Sequence, residues 1–355
     1  MNSTFWKNKK VLLTGHTGFK GSWITIWLKK LGVDVIGFSK DIPTTPSLFN
    51  ETNLENEIIS IMGDIRNFDL IKKTLHEHQP DIIIHMAAQS LVRTSYLEPI
   101  ETYSTNIIGT VNLLEAVKKL DSVKVVLNVT SDKCYENTGS NQDFVENDPM
   151  GGYDPYSSSK GCSELITSAF RNSFFNPQKF DEHGLALASV RAGNVIGGGD
   201  WSKDRLLPDI MQNINKNIIT IRNPNAIRPW QYVLEPLNGY LLLIEKLWTD
   251  GKKYSEGWNF GPDKKDSKSV SYILEQISKI LNKKIEWKHD NENNLHESSM
   301  LTLNCTKAKN RLKWNPKTNV DQAIKFTIDW YKAYEMGRNM KEFTLQQIKE
   351  FESLS

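Results

Sequence analysis

A short apolar run that leads directly into three evenly spaced glycines constrains this chain more than any other feature. The run spans Val11 to Thr14, and Gly15, Gly18 and Gly21 follow it at once. From Trp23 to Leu31, apolar residues then recur at nearly helical spacing. Such a run is typical of a buried parallel strand, and the recurring residues are typical of an amphipathic helix. The segment therefore predicts a strand, a tight turn and a helix in direct succession.

The alternation of strand and helix continues through the first half of the chain. Further apolar runs predict strands at 33–38, 58–62, 82–86, 123–129 and 185–190, and helical spacing predicts helices at 106–119 and 156–170. Alternation of this kind means right-handed βαβ units, and hence a parallel sheet with helices on both faces. We therefore expect an α/β fold, a Rossmann-type doubly wound parallel sheet with a smaller C-terminal α/β lobe.

The pattern loosens after about Arg191, where glycines and prolines punctuate shorter elements. A chain of 355 residues corresponds to roughly two domains, at about 150 residues for each. We expect the Rossmann domain to cover 1–190 together with about 232–260. The smaller lobe would then cover 191–231 and 261–355. The tail at 320–351 is predicted to be helical, polar and peripheral.

The composition argues against several broad classes of protein. The chain has 44 Lys and Arg against 42 Asp and Glu, a net charge of +2, which argues against a nucleic-acid-binding surface. No apolar run approaches the roughly 18 residues of a membrane span. The three cysteines are widely spaced, which fits a reducing cytoplasm, and His76, His78 and His85 do not form a metal set. We expect a cytoplasmic protein with no metal, nucleic-acid or membrane partner.

The glycine turn points to a dinucleotide. A pyrophosphate must approach backbone N–H groups at a helix N-terminus, and residues without a Cβ permit that approach and the tight turn before it. The spacing as a string is weak, and a plain strand–helix turn with packing glycines is the alternative. The strand before the turn and the helix after it favour a dinucleotide site, with Gly15, Gly18 and Gly21 as binding residues.

The identity of the dinucleotide is less constrained by the residues themselves. An acidic residue at the end of the second strand would bind the ribose 2′-hydroxyl and select NAD. Here the strand ends Ser39-Lys40-Asp41, so Lys40 could instead favour a 2′-phosphate. Asp64, after the third strand, could bind the adenine amino group, or it could be a loop or helix-capping aspartate.

Two groups of residues are candidates for catalysis. Tyr156 and Lys160 lie four apart at the start of a predicted helix, so they share one face. A nearby ammonium and a positive nicotinamide ring would lower the pKa of the phenol toward that of a useful base. Ser131, Asp132 and Lys133 follow the fifth strand, where ligands of parallel sheets bind. Asp132 could act as an acid if its pKa is raised, and Lys133 as a base only if it is neutral; solvated loop charges are the alternative.

These motifs together resemble the extended short-chain dehydrogenase/reductases. The matching residues are the three glycines, Gly63-Asp64, His85-Met86-Ala87-Ala88-Gln89, Asn106, Thr130-Ser131-Asp132 and the Tyr156-x-x-x-Lys160 pair. Within that family the chain resembles the nucleotide-sugar 4,6-dehydratases. Its Ser131-Asp132-Lys133 stands where the dTDP-sugar members carry Thr-Asp-Glu. This triplet, together with residues 46–49 and 191–201, resembles the corresponding segments of family members that act on a CDP-sugar.

The resemblance implies roles for individual residues. Tyr156 would take the proton of the sugar 4-hydroxyl, Asp132 would protonate the departing 6-hydroxyl, and Lys133 would stand where those relatives hold the C5 base. An ammonium stabilises a carbanion but cannot accept a proton, so Lys133 is either a neutral base or an electrostatic stabiliser. The implied NAD-binding residues are Gly15, Thr17, Gly18, Phe19, Lys20, Gly21, Ser39, Asp64, Ile65, Ala87, Ala88, Gln89, Asn106, Tyr156 and Lys160. The implied substrate-binding residues are Arg93, Ser131, Asn194, Arg205, Arg228 and His296.

Two other functions fit the same motifs. An epimerase or reductase would use the same fold, although an epimerase needs no acid at C6, and a non-catalytic dinucleotide-binding protein would have no need of Tyr156 and Lys160. The family also implies a homodimer formed through a four-helix interface. Asn106 to Lys119 and Tyr156 to Phe170 are the candidate helices, because they carry more apolar residues than one core face requires.

Overall fold

The computed structural model describes residues 2–139, 143–214, 218–289 and 301–354. The strands are β1 Lys10–Thr14, β2 Asp34–Ser39, β3 Ile59–Met62, β4 Ile82–His85, β5 Val125–Val129, β6 Ala186–Ala192, β7 Val195–Ile196, β8 Ile219–Ile221, β9 Ile227–Pro229, β10 Gln231–Tyr232, β11 Gly257–Phe260, β12 Ser267–Ser269 and β13 Trp287–His289. The helices are α1 Ser3–Trp6, α2 Phe19–Lys30, α3 Leu48–Glu51, α4 Phe68–His78, α5 Val92–Leu97, α6 Pro99–Tyr103, α7 Gly109–Val117, α8 Pro155–Ser173, α9 Phe180–His183, α10 Leu206–Asn213, α11 Leu234–Tyr254, α12 Val270–Leu281, α13 Thr306–Leu312, α14 Val320–Glu335 and α15 Met340–Ser353.

A seven-stranded parallel sheet forms the centre of the molecule, in the order β11-β6-β5-β4-β1-β2-β3. The order reverses between β1 and β4, where Leu12 of β1 pairs with Ile36 of β2 on one side and Ile83 of β4 on the other. A reversal of this kind opens a crevice at the carboxyl ends of the strands, which is where doubly wound sheets bind ligands. The sheet confirms the predicted Rossmann-type class.

Each face of the sheet is buried under its own layer of helices. Val11 and Leu13 of β1 belong to one apolar cluster together with Ile24 of α2, whereas Leu12 belongs to a second with Leu113 of α7. Successive strand residues point to opposite faces, so a strand buried on both sides reads as an uninterrupted apolar run. This is why the sequence of β1 is apolar without alternation.

Short strand pairs and helices after β6 form a smaller region beside the sheet. β7 pairs with β10, β8 with β13, and β9 with β12. The chain then returns to the sheet, since β11 pairs in parallel with β6. None of the helices in the described residues is long and apolar enough to cross a membrane.

The C-terminal helices are not peripheral, contrary to the sequence-based expectation. Phe351 of α15 is buried and makes an edge-on ring contact with Trp27 of α2, at 5.9 Å between centroids. The indole N–H of Trp27 also donates to Glu352 at 2.9 Å, and Lys30 pairs with the same carboxylate. The tail therefore packs against the Rossmann layer, because its few apolar residues share one face of each helix.

Candidate active site

A cleft of about 320 Å³ lies where the strands end. Residues that follow β4, β5 and β6 form one wall, and residues 204–209 and 220–223 of the smaller region form another. The sequence-predicted residues that line it are Phe19, Lys20, Arg93, Ser131, Asp132, Lys133, Tyr156, Asn194, Arg205 and Arg228. His296 lies outside the described residues. The structure thus brings most of the predicted catalytic and substrate residues together at one place.

Tyr156 and Lys160 occupy the first turns of α8, whose start is fixed by a cap. The Asp154 carboxylate accepts the backbone N–H of Ser157 at 2.9 Å, the usual arrangement for a helix N-terminus. Tyr156 and Lys160 are both buried, and the Lys160 ammonium donates to the carbonyl of Val129 at 3.4 Å. The catalytic helix is thereby held against the end of β5.

The surroundings that the chain itself provides raise the pKa of Tyr156, whereas the predicted lowering also depends on a nicotinamide ring. Burial raises the pKa of Tyr156 to about 12, against a lowering by the hydrogen bond with Ser131 and by the charge of Arg205. Lys160 is not among the largest influences on the phenol, and burial lowers the pKa of Lys160 itself to about 8. Proximity in sequence therefore overstates the influence of Lys160 on Tyr156.

The surroundings of Asp132 raise its affinity for a proton. It begins a short 3₁₀ helix after β5, capped by Ser131, whose hydroxyl accepts the Lys133 N–H at 3.2 Å and donates to the Asp132 carboxylate at 3.0 Å. Burial raises the pKa of Asp132, as the predicted role of acid requires. Gly193 leaves room for this side chain, because a Cβ there would stand 3.0 Å from an Asp132 oxygen.

A buried ion pair supports this strand end, and the sequence analysis did not identify it. Glu164 accepts two hydrogen bonds from Arg191, at 2.8 and 2.9 Å, and further ones from Thr130 and Ser189. Thr130 directly precedes Ser131, so the pair fixes the backbone that presents the catalytic residues. The sequence pattern that could have identified Glu164 is its position four residues after Lys160, on the same face of α8.

The glycine turn has the geometry that a pyrophosphate requires. Gly15 has φ +77°, and a Cβ on Gly21 would come within 2.0 Å of the Gly15 carbonyl oxygen, so neither position tolerates a side chain. Gly18 lies at the N-terminus of α2, and a Cβ there would have only the Gly15 oxygen within 4 Å, at 3.4 Å. Its backbone therefore faces open space at a helix N-terminus, which fits a dinucleotide phosphate.

Two residues of this turn have environments that the spacing of the glycines does not reveal. Lys20 lines the cleft, where burial lowers its pKa to about 8 and the charges of Arg205, Asp132 and Asp200 also act on it. His16 is buried instead beneath the turn, with burial lowering its pKa to about 4. Lys20 is thus close enough to Asp132 for the two charges to interact.

His16 ties the ends of two neighbouring strands to the turn. Its ring nitrogens lie 2.8 Å from the hydroxyl oxygens of Ser39 and Ser60. Gly37 makes room for the ring, since a Cβ there would lie 2.4 Å from it. The hydroxyl of Ser39, a predicted NAD-binding residue, is thus hydrogen-bonded to His16. The hydroxyl of Thr17 donates to the carbonyl of Asp41 at 2.6 Å.

Several other predicted cofactor residues use their side chains within the protein. The Asn106 amide bonds the backbone of Gln89 through both its oxygen, at 2.9 Å, and its nitrogen, at 3.0 Å, and reaches Ser159 of α8 at 2.8 Å. The Gln89 side chain in turn bonds Leu91 and Thr102. Asn106 and Gln89 therefore hold the loop after β4 against the catalytic helix.

The predicted adenine contact, Asp64, belongs to a surface ion cluster. Arg66 approaches its carboxylate at 2.6 Å and also pairs with Glu101. Lys40 pairs with Glu101 at 2.9 Å and lies 3.9 Å from Asp64. The two carboxylates thus balance Lys40, which weakens the argument that this lysine selects a 2′-phosphate. Of the remaining predicted residues, Ile65 is buried beside Gly109, Ala87 donates its N–H to Thr14 at 3.1 Å, and Ala88 is half-buried.

The predicted substrate arginines are held by carboxylates or carbonyls. Arg205 pairs with the buried Asp200 at 3.0 Å, and Arg93 lies 3.4 Å from Asp204. Arg228 donates to the carbonyl of Ile227 at 3.0 Å. These arginines and Lys20 give the middle of the cleft a positive wall, and Asp200 is a supporting residue that the sequence analysis did not identify.

Comparison with known proteins agrees with this geometry. The profile of the family described as GDP-mannose 4,6 dehydratase matches residues 12–327. The chain is 50% identical to a CDP-glucose 4,6-dehydratase of Salmonella typhimurium over 354 residues, 99% of each chain. It is 25% identical to a dTDP-glucose 4,6-dehydratase of Xanthomonas campestris, covering 90% of this chain and 92% of that one.

A solved structure extends the comparison to three dimensions. The dTDP-glucose 4,6-dehydratase of Bacillus anthracis in complex with NAD has a TM-score of 0.75 at 25% identity, and the match covers 94% of this chain and 99% of that one. The predicted resemblance to the nucleotide-sugar 4,6-dehydratases is confirmed. The chain belongs to the GDP-mannose 4,6-dehydratase family.

Proposed function

We propose that this chain dehydrates CDP-glucose to CDP-4-keto-6-deoxyglucose, with NAD as a cofactor that ends the reaction as it began. The observation that carries the proposal is the meeting of a buried phenol, Tyr156, and a buried carboxyl of raised pKa, Asp132, in one cleft. This reaction needs a group that takes a proton at O4 and a group that gives one to the departing hydroxyl. The Salmonella typhimurium relative supports the same reaction and the same nucleotide.

The glycine turn is the proposed site of the NAD pyrophosphate, because Gly18 leaves its backbone approachable at the start of α2. NAD in the Bacillus anthracis structure supports this choice of cofactor. Bound NAD supplies one piece of chemistry, the removal of hydride from C4 of the sugar and its later return at C6. All proton movements are left to residues of the chain.

Tyr156 is the proposed base for the sugar 4-hydroxyl. Burial keeps the phenol protonated, so ionisation requires positive charge close to its oxygen. Ser131 and Arg205 already act in that direction. A positively charged nicotinamide ring bound nearby would act in the same direction, which would make the base available when the cofactor is bound.

Asp132 is the proposed acid for the departing 6-hydroxyl. Once C4 is a ketone, the proton on C5 becomes acidic. Removal of that proton forms the C5–C6 double bond, the C6–O bond breaks, and Asp132 donates its proton so that water leaves. When hydride returns to C6, a proton returns to C5 and completes the product. Lys133 lies next to Asp132 in the cleft, as the C5 base or as a cation that stabilises the enolate.

The diphosphate of the substrate is proposed to bind along the positive wall of the cleft. Arg205 and Arg228 both line it, and a planar guanidinium can bind phosphate oxygens with two parallel hydrogen bonds. The pairing of Arg205 with Asp200 fixes the direction of the guanidinium before substrate arrives. Asn194 and Arg93 complete the proposed set among the described residues.

A panel of nucleotide sugars tests the function. Purified enzyme is incubated with CDP-, dTDP-, UDP- and GDP-glucose without added reductant, and products are weighed by mass spectrometry. We expect a product lighter by one water from CDP-glucose. A product of unchanged mass would show an epimerase, and turnover that requires added NADPH would show a reductase; either outcome contradicts the proposal.

We also propose a homodimer formed through the surface of α5, α6 and α8. Leu97 and Ile100 are 82% and 84% exposed, and Leu165 of α8 is 59% exposed. These helices pack against one another, so the exposed apolar residues lie on neighbouring elements. Large exposed apolar areas mark interaction sites. On the candidate helix 106–119, Leu113 is buried in the core, whereas Ile108 at its start is 49% exposed and extends the proposed surface.

Ile100→Glu is expected to convert the dimer to a monomer at micromolar protein concentration. A buried, unpaired carboxylate at the interface is costly to desolvate, and the two-fold symmetry of a dimer would place it there twice. Analytical ultracentrifugation measures the result. The matched control is Met336→Glu, an equally exposed residue (76%) at the end of α14, which should leave the mass unchanged. A wild-type monomer, or dimers in both variants, would refute this interface.

We propose in addition that the enzyme is cytoplasmic. Cys134, Cys162 and Cys305 are free thiols, as is usual in a reducing compartment. Fractionation of the producing cell would test it, and recovery of the protein outside the cytoplasm would contradict it.

A further inference from the structure

The cleft also has apolar lining residues beside a carboxylate, a combination that suits a nucleoside base. Leu206, Leu207, Pro208 and Ile221 provide apolar surface there. The carboxylate of Asp209, in the first turn of α10, lines the same region. A flat aromatic base needs apolar walls for its faces and a few placed polar groups for its edge.

Asp209 follows Arg205 along α10, and both residues line the cleft. Arg205 acts on the phenol of Tyr156, at the catalytic end. Asp209 lies one helical turn beyond Arg205, since its N–H donates to the Arg205 carbonyl at 2.9 Å. A sugar at Tyr156 and a diphosphate at Arg205 therefore direct the base toward α10.

The Asp209 carboxylate is a hydrogen-bond acceptor with unused capacity. It accepts the backbone N–H of Asp204, and the charge of Arg222 acts on it. No ion pair joins it to a cation in the parts of the chain that the structure describes. Burial raises its pKa to about 6, so at neutral pH most of it remains ionised. An ionised carboxylate accepts hydrogen bonds and cannot donate them.

Pyrimidine bases differ at the edge that such a group would contact. Cytosine carries an amino group at C4, which donates, whereas thymine carries a carbonyl oxygen at that position, which accepts; uracil carries the same carbonyl. Carboxylates pair with the cytosine amino group. The same carboxylate would face a carbonyl oxygen with no proton between them, which is repulsive.

We propose that Asp209 determines the nucleotide specificity of this enzyme by accepting a hydrogen bond from the 4-amino group of cytosine. The inference rests on the proposed CDP-sugar function and assigns the choice of base to one residue. It requires no contact between Asp209 and the reacting atoms. Loss of the carboxylate should therefore alter binding of the nucleotide and leave the chemical step intact.

The test is the preference for CDP over UDP, measured by isothermal titration calorimetry on wild type and Asp209→Asn. An amide can accept from the amino group or donate to the carbonyl, so D209N should reduce the preference at least tenfold. Its KM for CDP-glucose should rise while kcat stays within a factor of about two. Asp69→Asn, an exposed carboxylate in the first turn of α4, is the matched control and should change neither quantity.

The outcomes test the role of Asp209 independently of the proposed reaction. Equal binding of CDP and UDP by wild type, or an equal loss of both in D209N, would overturn the role of Asp209 even if CDP-glucose is dehydrated. If wild type prefers CDP, D209N loses that preference and CDP-glucose is not dehydrated, the proposed function fails and the role of Asp209 stands. Should D209N not fold, Asp209→Ser gives the same measurement, because serine is well tolerated near a helix N-terminus.

Discussion

Tyr156→Phe should lower kcat on CDP-glucose by roughly 10³-fold, within the range that general acid–base groups contribute. The variant removes the only atom of the side chain that can accept the O4 proton and leaves the ring that packs at the start of α8. KM should change by less than about threefold, because the diphosphate contacts of Arg205 and Arg228 remain. Steady-state kinetics on the purified enzyme provide both numbers.

A control residue separates a catalytic effect from a general one. Tyr153 lies three residues earlier and is 75% exposed, outside the cleft, so Tyr153→Phe should keep kcat within about twofold of wild type. The melting temperature of Tyr156→Phe should remain close to that of wild type. A Tyr156→Phe enzyme with more than a tenth of wild-type kcat would show that another group takes the O4 proton.

The parts of the site that could be predicted are those fixed by local sequence and by the rule for parallel sheets. The strand, glycines and helix of 11–31 occur in direct succession, as the spacing indicated. Ser131, Asp132 and Lys133 follow β5, and residues at the carboxyl ends of neighbouring strands meet at one edge of the sheet. Tyr156 joins them because it lies in the first turn of α8, the helix that follows β5 along the chain. Short-range spacing and topology suffice for these residues.

Other features depend on contacts between segments distant in sequence. His16 bonds serines of two other strands, and Asn106 joins the loop after β4 to α8, so each resembles an ordinary polar residue until the partners are known. The buried Glu164 and Arg191 pair spans α8 and β6. The upward shift in the pKa of Tyr156 is also collective, because burial by several segments outweighs the nearest charges.

Asn106 shows how a recognised motif residue can have a structural role that its sequence position does not reveal. Its position in the family pattern implied contact with the cofactor, yet both ends of its amide are hydrogen-bonded to Gln89 and Ser159. The residue sits in a π-helical turn, Ser104–Ile108, within an otherwise helical segment. A wider turn of this kind is not encoded by hydrophobic spacing, so the sequence predicted only the start of a regular helix there.

Lys133→Met should lower kcat on CDP-glucose by at least 10²-fold, because it removes the cleft-lining side chain directly after Asp132, which could take the C5 proton or stabilise charge at C5. Exchange of the C5 proton with solvent measures the removal of this proton separately from the redox steps. The 4-keto product is returned to each variant in heavy water, and deuterium at C5 is followed by NMR. We expect Lys133→Met to exchange at least 10²-fold more slowly than wild type.

Two further variants distinguish a base from an electrostatic stabiliser. Lys133→Glu supplies a carboxylate that can accept the proton, whereas Lys133→Arg keeps the charge and cannot be deprotonated in a protein. If Lys133 is the base, exchange should be faster in Lys133→Glu than in Lys133→Met and absent in Lys133→Arg. If it stabilises the enolate, Lys133→Arg should retain most of the exchange and Lys133→Glu should be the slowest. Wild-type exchange in Lys133→Met would exclude both roles, since the C5 proton would then be removed without any help from residue 133.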